Sequence, residues 1–213
     1  DIDKMEMLTR EMVKRTKLPV TVKTRLGWDE KSIKIVEVAE RIQDAGAKAI
    51  TIHGRTRAQM YKGFADWAPI AEVKNNSRMN IPVFGNGDVN SPEKAVEMRD
   101  KYGLDGAMIG RASIGNPWFF NHVKHYFKTA EHLPYPMINE RIDMARRHLE
   151  MSIEWKGEKL GVLETRRHYS NYFKGIPDFK KHRTKMVTCD YSAQLFDLFD
   201  ELKVRFKNKE LAY

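Results

Sequence analysis

Ala49-Ile50-Thr51-Ile52-His53-Gly54-Arg55-Thr56 is the stretch that decides the fold. Its first four residues read as a short buried strand, which runs directly into a polar cluster. The pattern recurs on either side. Upstream, Pro19-Val20-Thr21-Val22-Lys23-Thr24 is short, rich in β-branched residues and followed by a turn at Gly27. Downstream, Ile81-Pro82-Val83-Phe84 ends in Gly85-Asn86-Gly87-Asp88, and Gly106-Ala107-Met108-Ile109 ends in Gly110-Arg111-Ala112. The segments between read as amphipathic helices. One runs from about Lys31 to Asp44, with Ile35, Ala39 and Ile42 on one face and Gly46 closing it. One starts near Asp66, a good N-cap, and carries Trp67, Ile70 and Val73 inward. One opens on Ser91-Pro92 as N-cap and first residue and closes at Gly103. Asn116-Pro117 begins another, with Trp118, Phe119 and Phe120 in its first turns.

The strands recur at roughly 25–30 residues, the spacing that βα units need. Strands alternating with helices imply a parallel sheet joined by crossovers, so residues 1–132 read as an α/β domain. In such folds functional residues collect where strands end at their C-terminal side. Here all four strand ends are polar: Lys23/Arg25, His53/Arg55, Asn86/Asp88 and Gly110/Arg111. A merely structural sheet does not need this four times over.

Leu133-Pro134-Tyr135-Pro136 reads as a linker, and residues 137–213 read as an all-α helical bundle. Ile138, Ile142, Ala145, Leu149 and Ile153 form one apolar stripe; Leu195, Leu198, Phe199, Leu202 and Phe206 form another. Between them lie Arg166, Arg167, His168, Tyr169, Tyr172 and Phe173, then Lys180, Lys181, His182, Arg183 and Lys185. This is a basic, aromatic-bearing stretch whose aromatics are mostly core, with one or two at most left to stack on bases.

The formal net charge is +9. Lys156 to Lys185 holds nine basic and three acidic residues, most of that excess. Such a patch suits a polyanion, because each neutralised phosphate releases counterions, and it equally suits a solvated basic face. The single cysteine, Cys189, has no internal disulfide partner and reads as a small half-buried residue. One cysteine and eleven methionines suit a reducing cytoplasm. No apolar run approaches the ~18 residues of a membrane span, and no metal-ligand cluster stands out. The chain opens Asp-Ile-Asp-Lys-Met on what reads as the middle of a helix, without an initiator methionine, as a fragment would.

The last two strand ends supply a phosphate cradle. Backbone N–H groups at Asn86-Gly87-Asp88 and Gly110-Arg111 can approach an anion, and Arg111 adds charge. Lys23, projecting into a pocket, calls for an anion or an acceptor; reduced flavin is negative near N1 and O2. His53 reads either as a ligand donor or proton-transfer group or as a satisfied structural histidine.

Five motifs in order — Pro-Val-Thr-Val-Lys23-Thr-Arg25, Thr-Ile-His53-Gly-Arg-Thr, Gly-Asn86-Gly87-Asp88, Ile-Gly110-Arg111-Ala and Gly115-Asn116-Pro117-Trp118 — resemble the tRNA-dihydrouridine synthase family, closest to its bacterial B-type branch. The resemblance covers nearly the whole chain. It implies an FMN-containing (β/α)8 TIM barrel followed by a helical tRNA-binding domain, reducing uridine in tRNA to 5,6-dihydrouridine with NADPH as reductant. It implies that Lys23 contacts the flavin ring, that His53 lies near flavin or uracil, and that Asn86, Gly87, Asp88, Gly110 and Arg111 hold the ribityl-phosphate end. Arg166, Arg167, Lys180, Lys181 and Arg183 would then face RNA. The family's cysteine acid sits in a Cys-Pro motif that this chain lacks. The four strands would be the fifth to eighth of the barrel, so the chain would be its C-terminal half, inactive alone. Such a half exposes two sheet edges and an apolar inner face, and would dimerise, swap, or pair with the missing half. Two other readings stay open on the residues alone: a non-catalytic RNA-binding module, and another FMN- or phosphate-binding barrel oxidoreductase.

Overall fold

The computed structural model describes residues 1–206. The described chain divides into two compact units, one of residues 1–112 with 121–131, the other of residues 113–120 with 132–206. The first unit is built on a four-stranded sheet in the order β1 (Thr21–Arg25), β2 (Ala49–His53), β3 (Val83–Asn86), β4 (Gly106–Met108). All three pairings are parallel. Helices α1 (Ile2–Arg15), α2 (Ile35–Asp44), α3 (Ala68–Asn75) and α4 (Pro92–Lys101) alternate with the strands. This is the βα repeat of a partial (β/α)8 barrel, and every described element after β4 is helical. Among the described residues β1 and β4 each pair on one side only, so the expected open edges are present.

Several boundaries fall later than the residue pattern places them, for identifiable reasons. β1 and β3 begin after Pro19 and Pro82, which have no N–H to give to a ladder. Their flanking carbonyls still accept: Val20 O from Lys48 N, and Pro82 O from Ile50 N. The segment after Gly27 is a short 3-10 turn, Glu30–Ser32, and not the start of α2. Asp29 and Ser32 close it reciprocally, Asp29 N donating to Ser32 Oγ at 2.9 Å and Lys31 N to Asp29 Oδ1 at 3.1 Å. Asn116 and Pro117 form a turn before α5 (Phe119–Thr129), with Phe119 N donating to Asn116 O. Ser91 caps α4 through Lys94 N, and Asp66 Oδ1 takes the amide of Ala68 at the start of α3. Asp1 Oδ1 accepts from Lys4 N at 2.9 Å in the first turn of α1.

The register fixes which side chains face the helices. Ile50 and Ile52 are fully buried and align with Val83 and Gly85 of β3. They pack in the layer that holds Ile35, Ala39 and Ile42 of α2 and Ile70 and Val73 of α3, all buried. Trp67 fills the space that Gly85 leaves: a Cβ on Gly85 would lie 2.1 Å from its ring. Its indole N–H donates to Gly87 O at 3.1 Å. The other face carries Lys23, Thr51 and Phe84 on one rung and Arg25, His53, Asn86 and Met108 on the next. The expected apolar inner face is therefore corrected: at this level of the sheet it is mostly polar and cationic.

The helical unit buries both predicted stripes. Ile138, Ile142, Ala145 and Leu149 of α6 (Ile138–Lys156) and all five named residues of α9 (Ser192–Phe206) are in one core, with Ile153 partly buried against it. Gly161 lets α7 (Glu158–Tyr172) run close to α6; a Cβ there would meet Ile153 at 2.8 Å. Tyr169, Tyr172 and Phe173 all lie in this core, and Phe173 stacks on Phe179 at 4.8 Å. Buried Arg141 donates to Tyr172 O at 2.5 Å and Lys174 O at 2.8 Å, tying off the end of α7. Burial pushes its guanidinium down to about 10. Among the described residues no helix is long and apolar enough to cross a membrane.

Candidate active site at the strand ends

A cavity of about 670 Å³ opens where the four strands end. Its size is in the range of a cofactor site. Lys23, Arg25, His53, Asn86 and Met108 line it from the strands, and Gly87, Asp88, Gly110 and Arg111 from the loops that follow β3 and β4. The predicted cofactor residues are thus brought together in one place. Arg25, Arg55, Tyr61 and Phe64 join them. The two arginines belong to the polar strand ends, whereas Tyr61 and Phe64 sit in a loop with no motif to mark them.

Four cations line this cavity against one carboxylate, and three of the four are held in place. Arg55 is only 2% exposed. It binds Asp88 through both terminal nitrogens, at 2.9 and 2.8 Å, and gives further bonds to Gly63 O at 2.6 Å and Lys62 O at 3.3 Å. Asp88 also accepts from Ala65 N at 2.7 Å and from Arg111 at 3.2 Å. Its carboxyl is held below the usual range: burial raises it, and the Arg55 bond, the Ala65 amide and the two guanidinium charges outweigh that. Arg25 donates to Thr56 O at 2.7 Å and Met60 O at 3.1 Å. Arg111 lies 4.8 Å over the Tyr61 ring and stays largely exposed. The Lys23 ammonium makes no hydrogen bond or ion pair among the described residues, and burial and Arg25 together lower its pKa. The cavity therefore offers an unanswered positive charge.

Two backbone features shape the cradle. Gly87 has φ +126, and a Cβ on it would sit 2.5 Å from Ala65 Cβ and 3.1 Å from the His53 ring. Asp88 follows in the left-handed region at φ 55, which its short polar side chain tolerates. A Cβ added at Gly110 would meet nothing within 4 Å. Asn86 Nδ2 bridges to Met108 O at 2.8 Å, fixing the ends of β3 and β4 together. His53 is buried beside Lys23, Arg25 and Arg55. Burial, then those charges, push it from 6.5 down to about 4, so near neutral pH it is an uncharged imidazole.

The predicted RNA residues lie in the helical unit. Arg167, Lys180 and Lys181 are exposed and make no ion pair among the described residues, and Arg183 is half-buried. Arg166 is committed elsewhere, to Asp190 and to Cys189 O, each at 2.7 Å. Cys189 is half-buried at the end of α8 (Lys180–Thr188), and burial raises its thiol.

Parallel strands whose ends converge on a cationic, glycine-lined cavity define a partial (β/α)8 barrel. The Dihydrouridine synthase (Dus) family model matches residues 1–207. The chain is 41% identical over 196 residues to the probable tRNA-dihydrouridine synthase 1 of Synechocystis, covering 92% of this chain and 54% of that protein. It is 41% identical over 171 residues to the probable tRNA-dihydrouridine synthase of Rickettsia conorii, 80% of this chain and 51% of that one. It is 39% identical over 174 residues to tRNA-dihydrouridine synthase B of Pseudomonas aeruginosa, 82% of this chain and 52% of that one. This chain belongs to the dihydrouridine synthase family. It spans about half the length of the curated relatives it matches.

Two measurements check the geometry. Asp88→Asn leaves Arg55 buried without a counter-charge and is expected to destabilise the chain by about 3 kcal/mol in urea titrations; an unchanged midpoint would show that the pair contributes nothing. Because folding depresses His53 below 6.5, its unfolded form takes up a proton first. Its share of stability is present above about pH 6.5 and drains as pH falls toward 4. The His53 resonances in an NMR titration are expected to move only near pH 4; a midpoint near 6.5 rejects the desolvated, cation-flanked environment.

Proposed function

We propose that this chain supplies the FMN-phosphate side of a tRNA-dihydrouridine synthase, together with its tRNA-binding helical segment. The observation that carries this is the strand-end cavity, where Lys23 and Arg111 present positive charge beside a backbone cradle at Gly87 and Gly110. These residues fit a flavin mononucleotide. Gly87 and Gly110 let backbone amides approach a phosphate, and Arg111 adds a charged contact. Asp88, itself anionic, serves by holding Arg55 and Arg111 in place and by fixing Ala65. Lys23 lies ready to answer negative charge on the ring. Neutral His53 donates or accepts a hydrogen bond at the ring or the substrate base, and at its depressed pKa it does not carry a proton near neutral pH. FMN, when bound, supplies the hydride, and NADPH reloads it.

The substrate is tRNA, whose target uridine must leave its stack to reach the cavity. Residues 1–132 form the FMN-binding part and 137–213 the tRNA-binding part. There, Arg167, Lys180 and Lys181, exposed and in no salt bridge among the described residues, offer phosphate contacts. The cysteine acid of the family has no counterpart here, because Cys189 lies half-buried at the end of α8 in the helical unit. Catalysis therefore requires residues from outside this chain. The open edges at β1 and β4, and exposed Met7, Leu8, Met12 and Leu18, support pairing with the remainder of the barrel or with a second copy.

The test uses the complete gene product. It is expected to release FMN on denaturation and to reduce uridine in unmodified tRNA with NADPH, and Lys23→Ala is expected to lower flavin retention. A folded complete protein that neither holds nor takes up FMN overturns the reading. Replacing Arg167, Lys180 and Lys181 by Ala is expected to lower the salt slope of tRNA binding by about one for each phosphate that is no longer neutralised; an unchanged slope removes them from the RNA surface.

A further inference from the structure

The molecule has two tryptophans in the first unit, and they are opposites. Trp67 is 1% exposed and fills the core, whereas Trp28 is 68% exposed on the loop after β1. Trp28 is not loosely held. Gly27 lies so close to the following turn that a Cβ on it would be 2.5 Å from Ser32 O. The Asp29–Ser32 reciprocal cap closes that turn. On the other side, the segment after β2 runs alongside: Arg57 N donates to Gly27 O at 2.9 Å and Ala58 N to Trp28 O at 2.7 Å. The backbone that carries the indole is thus pinned from two directions.

Arg57, on that neighbouring segment, places its guanidinium 5.9 Å from the centre of the Trp28 ring. The pair forms an aromatic surface with a cation set over one side of the ring. It stands outside the strand-end cavity but on the same loops: Arg25, which lines the cavity, holds the Arg57 segment through Thr56 O and Met60 O. Carboxylates are also near. Asp3 and Glu37 are answered by Arg41, and Asp29 accepts from the Lys31 amide. The cation set over the indole is Arg57.

We propose that Trp28 and Arg57 form a stacking site for an unpaired nucleobase of the RNA substrate, distinct from the base presented to the cavity. An aromatic ring beside a guanidinium takes any base by its π-face and satisfies the neighbouring phosphate, so the site is sequence-tolerant. It holds the strand next to the extruded uridine and keeps it from restacking. This inference rests on the tRNA reading under the proposed function.

The test measures binding of an unmodified tRNA transcript to the complete, FMN-loaded protein by fluorescence anisotropy, for wild type, Trp28→Ala, Trp28→Phe and Arg57→Ala. Trp28→Ala is expected to weaken binding about tenfold or more, with Trp28→Phe close to wild type. Flavin content is expected to stay unchanged in all four, since neither residue lines the cavity. In wild type, tRNA is expected to quench tryptophan emission, and Trp28→Phe to lose part of that quenching. Wild-type affinity in Trp28→Ala, with wild type binding tRNA normally, overturns the stacking site and leaves the synthase reading intact. Wild-type protein that binds no tRNA overturns both.

Discussion

The strand-end cavity depends on one buried ion pair. Arg55 is removed from water almost entirely, and such a charge is tolerable only when it is paired and hydrogen-bonded. Asp88 takes two of its five N–H groups, and the carbonyls of Lys62 and Gly63 take one each. One pair therefore ties together three pieces of chain: the end of β2, the end of β3 and the loop between them. The remaining lone pairs of Asp88 reach Ala65 and Arg111, which extends the same lock toward the end of β4. With Arg55 answered by Asp88 and Arg25 by carbonyls, Lys23 and the largely exposed Arg111 are left as the charges available to a ligand.

The same economy separates the charged residues of the helical unit. Arg141 donates to two backbone carbonyls, and Arg166 through Nη2 to Cys189 O and Asp190, so both serve the packing of helices. Arg167, beside Arg166 in sequence, points to solvent with Lys180 and Lys181. A run of basic residues thus divides into structural and surface members at the level of single turns.

Much of this is legible in the sequence. The strands, their parallel arrangement and the polar clusters at their ends follow from β-branched runs, βα spacing and glycines that end each strand. The set Lys23, His53, Asn86, Gly87, Asp88, Gly110 and Arg111 lines one cavity because side chains at successive strand ends share a face of a parallel sheet. What is not legible is pairing across distance. Arg55 and Asp88 are 33 residues apart, and Arg166 and Asp190 are 24 apart, and nothing local marks either partner. The polar inner face is hidden for another reason: alternation along a three- to five-residue strand is too short to separate two faces. The 3-10 turn before α2 reads as helix because its charged residues resemble a helical first turn, while the Asp29–Ser32 closure is a side-chain event.

Trp67 has a consequence of a different kind. Its ring lies under Gly85, and its N–H is bonded to the carbonyl of Gly87, the residue that shapes the cradle. The core and the site thus share one chromophore. Any ligand that draws on the Gly87 backbone alters the polarity felt by a dry, fixed indole, and the protein carries an optical reporter of its own site, placed on the side of the sheet that solvent does not reach.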